Sequence, residues 1–177
     1  MKTRYKIFGG IALMLGLQGL ALANPKAATV EDEFKAALFC QTEAFDARDA
    51  KTVARLGEHS IKVKNLEEDG LINQEFHFAT PLNIDNVTVS VVRYLGDSGS
   101  YFFAVARGDM NNFAQSIGAK PIPDELKQTL SWGNINQYYK YTAPVTTDNP
   151  YPKTILIGRD QDAKTGEFYF GCLEVDN

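Results

Sequence analysis

Two cysteines, Cys40 and Cys172, stand near opposite ends of a 177-residue chain. If they pair, the last strand must come back to the first helix, and nearly the whole chain closes into one loop. Whether they pair depends on the redox compartment, because disulfides persist outside the cytoplasm and are rare inside it. The N-terminus speaks to that. Lys2, Arg4 and Lys6 precede an apolar run from Ile7 to Leu22, and Ala21-Leu22-Ala23 places small residues where a signal peptidase reads. This is the layout of a secretory signal. The run is shorter than the ~20 apolar residues of a spanning helix, and no Cys follows it to carry a lipid. The expectation is a cleaved signal over residues 1–23 and a single mature domain over residues 24–177. The mature protein is expected in the periplasm or outside the cell, with no stable membrane insertion. A Cys40–Cys172 disulfide is then expected, and the chain-entropy model values so long a loop at about 4–5 kcal/mol. No CxxC exists, and His59 and His77 are the only histidines. No metal or cofactor is expected.

Charge narrows the partners. Loss of the signal removes three positive charges and no negative one, taking the net charge from −4 to −7. Nucleic-acid binding rests on Lys and Arg neutralising phosphate, so a nucleic-acid partner is not expected. The chain also lacks a basic stretch for anionic lipid.

Hydrophobic periodicity sets the fold class. Thr29 is placed to cap a helix in which Phe34, Ala37, Leu38 and Phe45 recur at helical spacing to about residue 47. Asp49 is placed to cap a second helix, with Val53 and Leu56 inward and Gly57 as its stop. The period then changes to two. Strands are predicted at Ile72 to Phe78, Val87 to Leu95, Tyr101 to Arg107, Ile135 to Tyr141, Thr154 to Gly158 and Glu167 to Val175. Asp109 caps a helix through Ile117, and one or two helical turns follow from Asp124. The expectation is an α+β fold, an antiparallel sheet of about six strands with the N-terminal helical hairpin on one face.

Several segments carry chemistry in outline. Asp97-Ser98-Gly99-Ser100 resembles the active-site turn of aspartic peptidases. Ile155-Leu156-Ile157-Gly158-Arg159-Asp160 resembles the apolar-apolar-Gly-Arg-Asn/Asp segment of the retroviral type. The resemblance implies a dimer in which Asp97 is each subunit's catalytic carboxylate. It departs from the family at Gly96, where an apolar residue belongs, and after Asp160, where a helix belongs and a turn is predicted. Gly96 to Gly99 also resembles the nucleophile loop of chymotrypsin-like peptidases, but neither histidine has that family's sequence context. A hairpin turn accounts for both glycines. His77, beside Glu75, reads as part of a solvated strand face, and His59 as a helix end. Asp160 to Lys164 opens like a calcium loop and fails at the fifth, sixth and twelfth positions, where Lys164, Thr165 and Gly171 stand. Asn86-Val87-Thr88 fits a glycosylation sequon.

Trp132, Tyr138, Tyr139, Tyr141 and Tyr151 crowd one stretch, interleaved with Asn134, Asn136 and Gln137. Tyr and Trp beside amides typify recognition surfaces, since they bring large rigid area at small entropic cost. Strand alternation puts Tyr139 and Tyr141 on one face and Tyr138 on the other. These five residues are the candidate binding site. The reading is an exported, non-catalytic binding protein whose partner is another protein, in its most specific form an inhibitor or immunity-type protein. The alternatives are a hydrolase acting through Asp97 and a small-molecule carrier with a cavity between helices and sheet.

Overall fold

The computed structural model describes residues 28–66, 71–96, 99–130, 136–160 and 163–175. The signal segment, Asp97 and Trp132 lie outside them. Among the described residues there are three α-helices, α1 at Val30–Leu38, α2 at Ala50–Glu58 and α3 at Met110–Ser116, and a 3-10 turn at Asp124–Leu126. Eight strands follow in chain order: β1 Ile61–Asn65, β2 Ile72–Ile84, β3 Val87–Gly96, β4 Gly99–Arg107, β5 Lys120–Pro121, β6 Asn136–Tyr141, β7 Thr154–Gly158 and β8 Glu167–Val175. They form one antiparallel sheet in the order β1-β2-β3-β4-β8-β7-β6-β5. Two four-stranded meanders therefore meet at the β4–β8 pair.

The α+β class stands, but the sheet has eight strands where about six are predicted. The additional ones are β1, which offers only Ile61 and Val63 as apolar signal between lysines, and β5, two residues long. Pairing with a neighbour makes them strands, and their own composition gives little warning. The first helix also stops at Leu38, short of residue 47. Cys40 takes a left-handed backbone conformation, φ 57°, just past the helix end. Val53, expected inward, is exposed, while Leu56 is fully buried.

Helix starts follow the capping residues. Thr29 accepts from the Asp32 amide while the Asp32 carboxylate accepts from the Thr29 amide, which satisfies donors that a helix start leaves open. Asp49 accepts from the Lys51 and Thr52 amides at the start of α2, and Asp109 from the Asn111 and Asn112 amides at the start of α3, without the reciprocal bond.

One face of the sheet carries the main core. Phe34 of α1 is fully buried, stacked on Phe45 at 4.3 Å and edge-on to Phe76 and Phe78. Helix α1 packs on β4 and β8, α2 on β1, and α3 on β7. Phe113 of α3 sits against Phe168 and Phe170. Cys40 is bonded to Cys172, tying the end of α1 to β8 with Cα atoms 5.1 Å apart. The buried Gln74 is satisfied: its side chain accepts from the Ala47 amide and donates to Asn65 Oδ1. Aromatic rings thus pack between helices and sheet.

The other face is built differently. Tyr101, Phe103, Leu156 and Leu173 form a small second core, covered by Ile122 and Leu130 from the segment between α3 and β6. Gly171 pairs with Phe103 in the middle of the sheet. A Cβ there would lie 2.1 Å from the Phe102 carbonyl oxygen and 2.4 Å from Phe103 Cα, so the two strands approach too closely for any side chain. Toward β1 the same face bears charged residues.

Candidate functional site

The β6–β7 connection, residues 142–153, is long yet well tied. At its base the Thr142 amide and hydroxyl both donate to the Lys153 carbonyl. At its tip Thr146 and Asn149 exchange amide-to-carbonyl bonds. Lys153 Nζ reaches Glu43 at 2.8 Å and Glu174 at 2.9 Å, pinning the base to the α1–α2 connection and to β8. Partial burial alone would lower the Lys153 pKa, but the two carboxylates outweigh it and hold it above the ordinary lysine value.

This loop forms one wall of a groove of about 200 Å³, with Tyr141, Val145, Tyr151 and the prolines Pro150 and Pro152 along it. Leu126, Thr129 and Leu130, Thr154 of β7, and Leu173 and Val175 of β8 complete the lining. No charged residue lines it. Val145 is 54% exposed, Tyr151 52% and Val175 40%, so three large apolar side chains meet water at one place. Single exposed apolar residues are ordinary, whereas several converging on a concavity mark a contact site. Burial raises the Tyr141 pKa, with Tyr139 adding to it; the phenol stays neutral and remains a hydrogen-bond donor.

The five candidate residues are therefore divided. Tyr141 and Tyr151 line the groove. Tyr139 lies behind them, half-buried in the second core, its ring edge-on to Tyr141 at 5.1 Å. Tyr138 points to the helix-covered face, where its hydroxyl donates to Asn111 Oδ1 at 2.8 Å. Trp132 lies outside the described residues. Sequence reading missed Val145, Val175, Leu126 and Leu130. Val145 carried a faint signal, an apolar residue in a loop otherwise of Pro, Thr, Asp and Asn.

A second cluster lies on the same sheet face near β1. Glu75 is only 12% exposed and is approached by His77 at 2.8 Å, Arg93 at 2.8 Å and Lys64 at 3.7 Å. Burial would raise its pKa, but the His77 hydrogen bond and the Arg93 charge hold the carboxylate below the usual glutamate value. Among the described residues, no group of three His, Cys, Asp or Glu is placed to hold a metal.

The peptidase resemblance gains no geometry. Asp97 and Ser98 lie outside the described residues, and Gly96 pairs with Ser100 as a hairpin requires. His77 is engaged by Glu75, and His59 ends α2. After Asp160, where the family has a helix, Ala163 and Lys164 are without regular structure and Thr165-Gly166 turn into β8. Among the described residues, no helix is long and apolar enough to cross a membrane.

No family model matches the chain, and neither a curated protein nor a solved structure matches it.

Proposed function

We propose that this chain is exported and acts in the periplasm or outside the cell as a non-catalytic binding protein that caps another protein, as an inhibitor or immunity-type protein does. The observation that carries this is the groove at Tyr141, Val145 and Tyr151: an uncharged concavity, walled by a tied loop and prolines, with apolar groups open to water. A stiff loop loses little entropy on binding, so contact energy is retained as affinity. The groove suits one anchoring side chain of a partner. Its volume, about 200 Å³, is below the roughly 300–1,000 Å³ of small-molecule sites. The export reading is supported by the N-terminal pattern and by the disulfide, which oxidising compartments favour.

The test is capture in the native compartment. A photo-crosslinker at Val145 of the mature protein should join one specific partner from the extracytoplasmic fraction. Binding of that partner should weaken by about 2 kcal/mol or more in Tyr151→Ala, as for an interface anchor, while the melting temperature is unchanged. Equal binding by wild type, Tyr151→Ala and Val145→Asp would remove the groove from the account. Substrate turnover lost in Asp97→Asn would replace it with the hydrolase reading.

A further inference from the structure

We propose that β1 is a second docking edge, which takes an extended acidic segment of a partner protein as an added strand. This goes beyond the groove, which lies toward the opposite end of the sheet. Strand β1 is the terminal strand of the sheet order. The Ala79 amide donates to the Ser60 carbonyl and the Leu66 amide to the Asn73 carbonyl, which fixes the phase of the β1–β2 ladder. Ser60, Lys62, Lys64 and Leu66 are the residues whose backbone groups face β2, because hydrogen-bonded pairs recur every second residue. The backbone groups of Val63 and Asn65 point away from β2. Ile61 is buried at the α2 end, but Val63 is half-exposed and Asn65 exposed.

Charge selects the occupant. Lys62 and Lys64 are exposed and project to the face that holds Glu75, His77 and Arg93. Glu75 is already engaged by the cations Lys64 and Arg93 and by a contact with His77. The strip is therefore positive on a chain whose net charge is −4. An added strand places every second side chain beside Lys62 and Lys64, where opposite charges in cross-strand positions attract. The same two lysines oppose pairing of β1 with a second copy of itself. The intervening side chains of the added strand face the other way. There they lie beside Ile61 and Val63; a hollow of about 430 Å³ at the start of β1, lined from both faces by Gly57, Ser60, Ile61, Lys62, His77, Phe78 and Ala79, adjoins this edge. In sequence β1 runs into Glu67, Glu68 and Asp69, so the added segment's acids belong beside Lys62 and Lys64 and not beyond Asn65. The recognised feature is an alternation of acidic and apolar residues, read by backbone bonds and by side chains together.

The experiment uses the mature protein and a labelled peptide of about eight alternating Glu and Val residues, a usual strand length. Anisotropy at low salt should show binding that weakens as salt rises. A Lys-Val peptide should not bind. The Glu-Val peptide with alternate amides N-methylated keeps its charge and loses its edge bonds; it should bind about tenfold more weakly or worse. Lys62→Glu with Lys64→Glu should abolish binding, and Val63→Pro, which removes an outward donor, should weaken it about tenfold. Amide exchange at Val63 and Asn65 should slow when peptide is added. Val145→Asp should leave peptide affinity unchanged, which separates this edge from the groove. Equal binding of the methylated peptide, or unslowed exchange at Val63 and Asn65, would reduce the contact to unspecific charge and overturn the proposal. So would an absence of binding at low salt. If Val63→Pro does not fold, the exchange measurement and the lysine variants decide.

Discussion

The two faces of the sheet solve different problems. The face under α1 and α3 is closed by rings: Phe34, Phe76, Phe102, Phe113, Phe168 and Phe170 are all fully buried or nearly so. It is also stapled by Cys40–Cys172. The opposite face has a small core around Tyr101, Phe103 and Leu156, a groove at one end and a charged strip at the other. Stability is concentrated where apolar area is largest, since burial contributes roughly 25 cal/mol per Å². Features that meet water and could meet a partner are concentrated on the face that contributes less. Substitutions on the first face should therefore change folding, and those at the rims of the second should change binding.

The largest effect expected is from Phe34→Ala. Its ring contacts Phe45, Phe76, Phe78 and Phe102, and truncation of such a ring costs about 3–5 kcal/mol. Urea unfolding measures it, and a loss under 1 kcal/mol would break the division between the faces. Next is the staple. Replacing Cys40 and Cys172 together by Ala should cost about 2–5 kcal/mol, read as a fall in melting temperature that wild type shows only on reduction. Gly171→Ala, on the seam between the two meanders, should cost about 2–3 kcal/mol, because the new Cβ meets backbone that cannot swing aside. A neutral result would show that the β4–β8 pair can separate without harm.

Smaller effects belong to the second face. Glu75→Gln should cost about 1–2 kcal/mol at pH 7, the scale of a charge-assisted bond that water partly screens. Its pH dependence has a definite sign. Folding lowers the Glu75 pKa below its ordinary 4.5, so the unfolded chain binds the proton more readily. The contribution is complete above about pH 4.5 and is lost as the pH falls through the folded value. The gap in melting temperature between wild type and Glu75→Gln should close on acidification; a gap that widens would assign the effect to another group. Smallest of all, Tyr151→Ala should change stability by less than about 0.5 kcal/mol. A large loss would make the groove a part of the core.

Most of the strand pattern was legible because its signals are local. Val87–Gly96 is dense in β-branched residues, Gln74 to Phe78 alternates, and Thr154–Gly158 encloses a run of apolar residues. Helix starts at Thr29, Asp49 and Asp109 were legible because a cap needs one side-chain oxygen at one place. Strand β1 was not, since Ile61-Lys62-Val63-Lys64 is too short to distinguish from a loop without its partner. The candidate site was half legible. Alternation separates Tyr138 from Tyr139 and Tyr141, and the structure places them so. Nothing in the Tyr-rich stretch indicates that Leu126, Leu130 and Val175 complete the groove, because that depends on how the segments before and after it fold back onto the sheet.

By itself, the sequence determined the α+β class, the caps, most strand limits and a pairing of two cysteines, each through the chemistry of neighbours in the chain. Only the tertiary structure decided that the sheet has eight strands, that β4 and β8 join two meanders, and that Tyr141, Tyr151, Val145 and Val175 share one concavity. Most of these contacts join residues that are not neighbours in the chain, such as β4 with β8 and Val175 with Tyr141. They follow from which faces can be buried together, a property of the packed whole that no local pattern records.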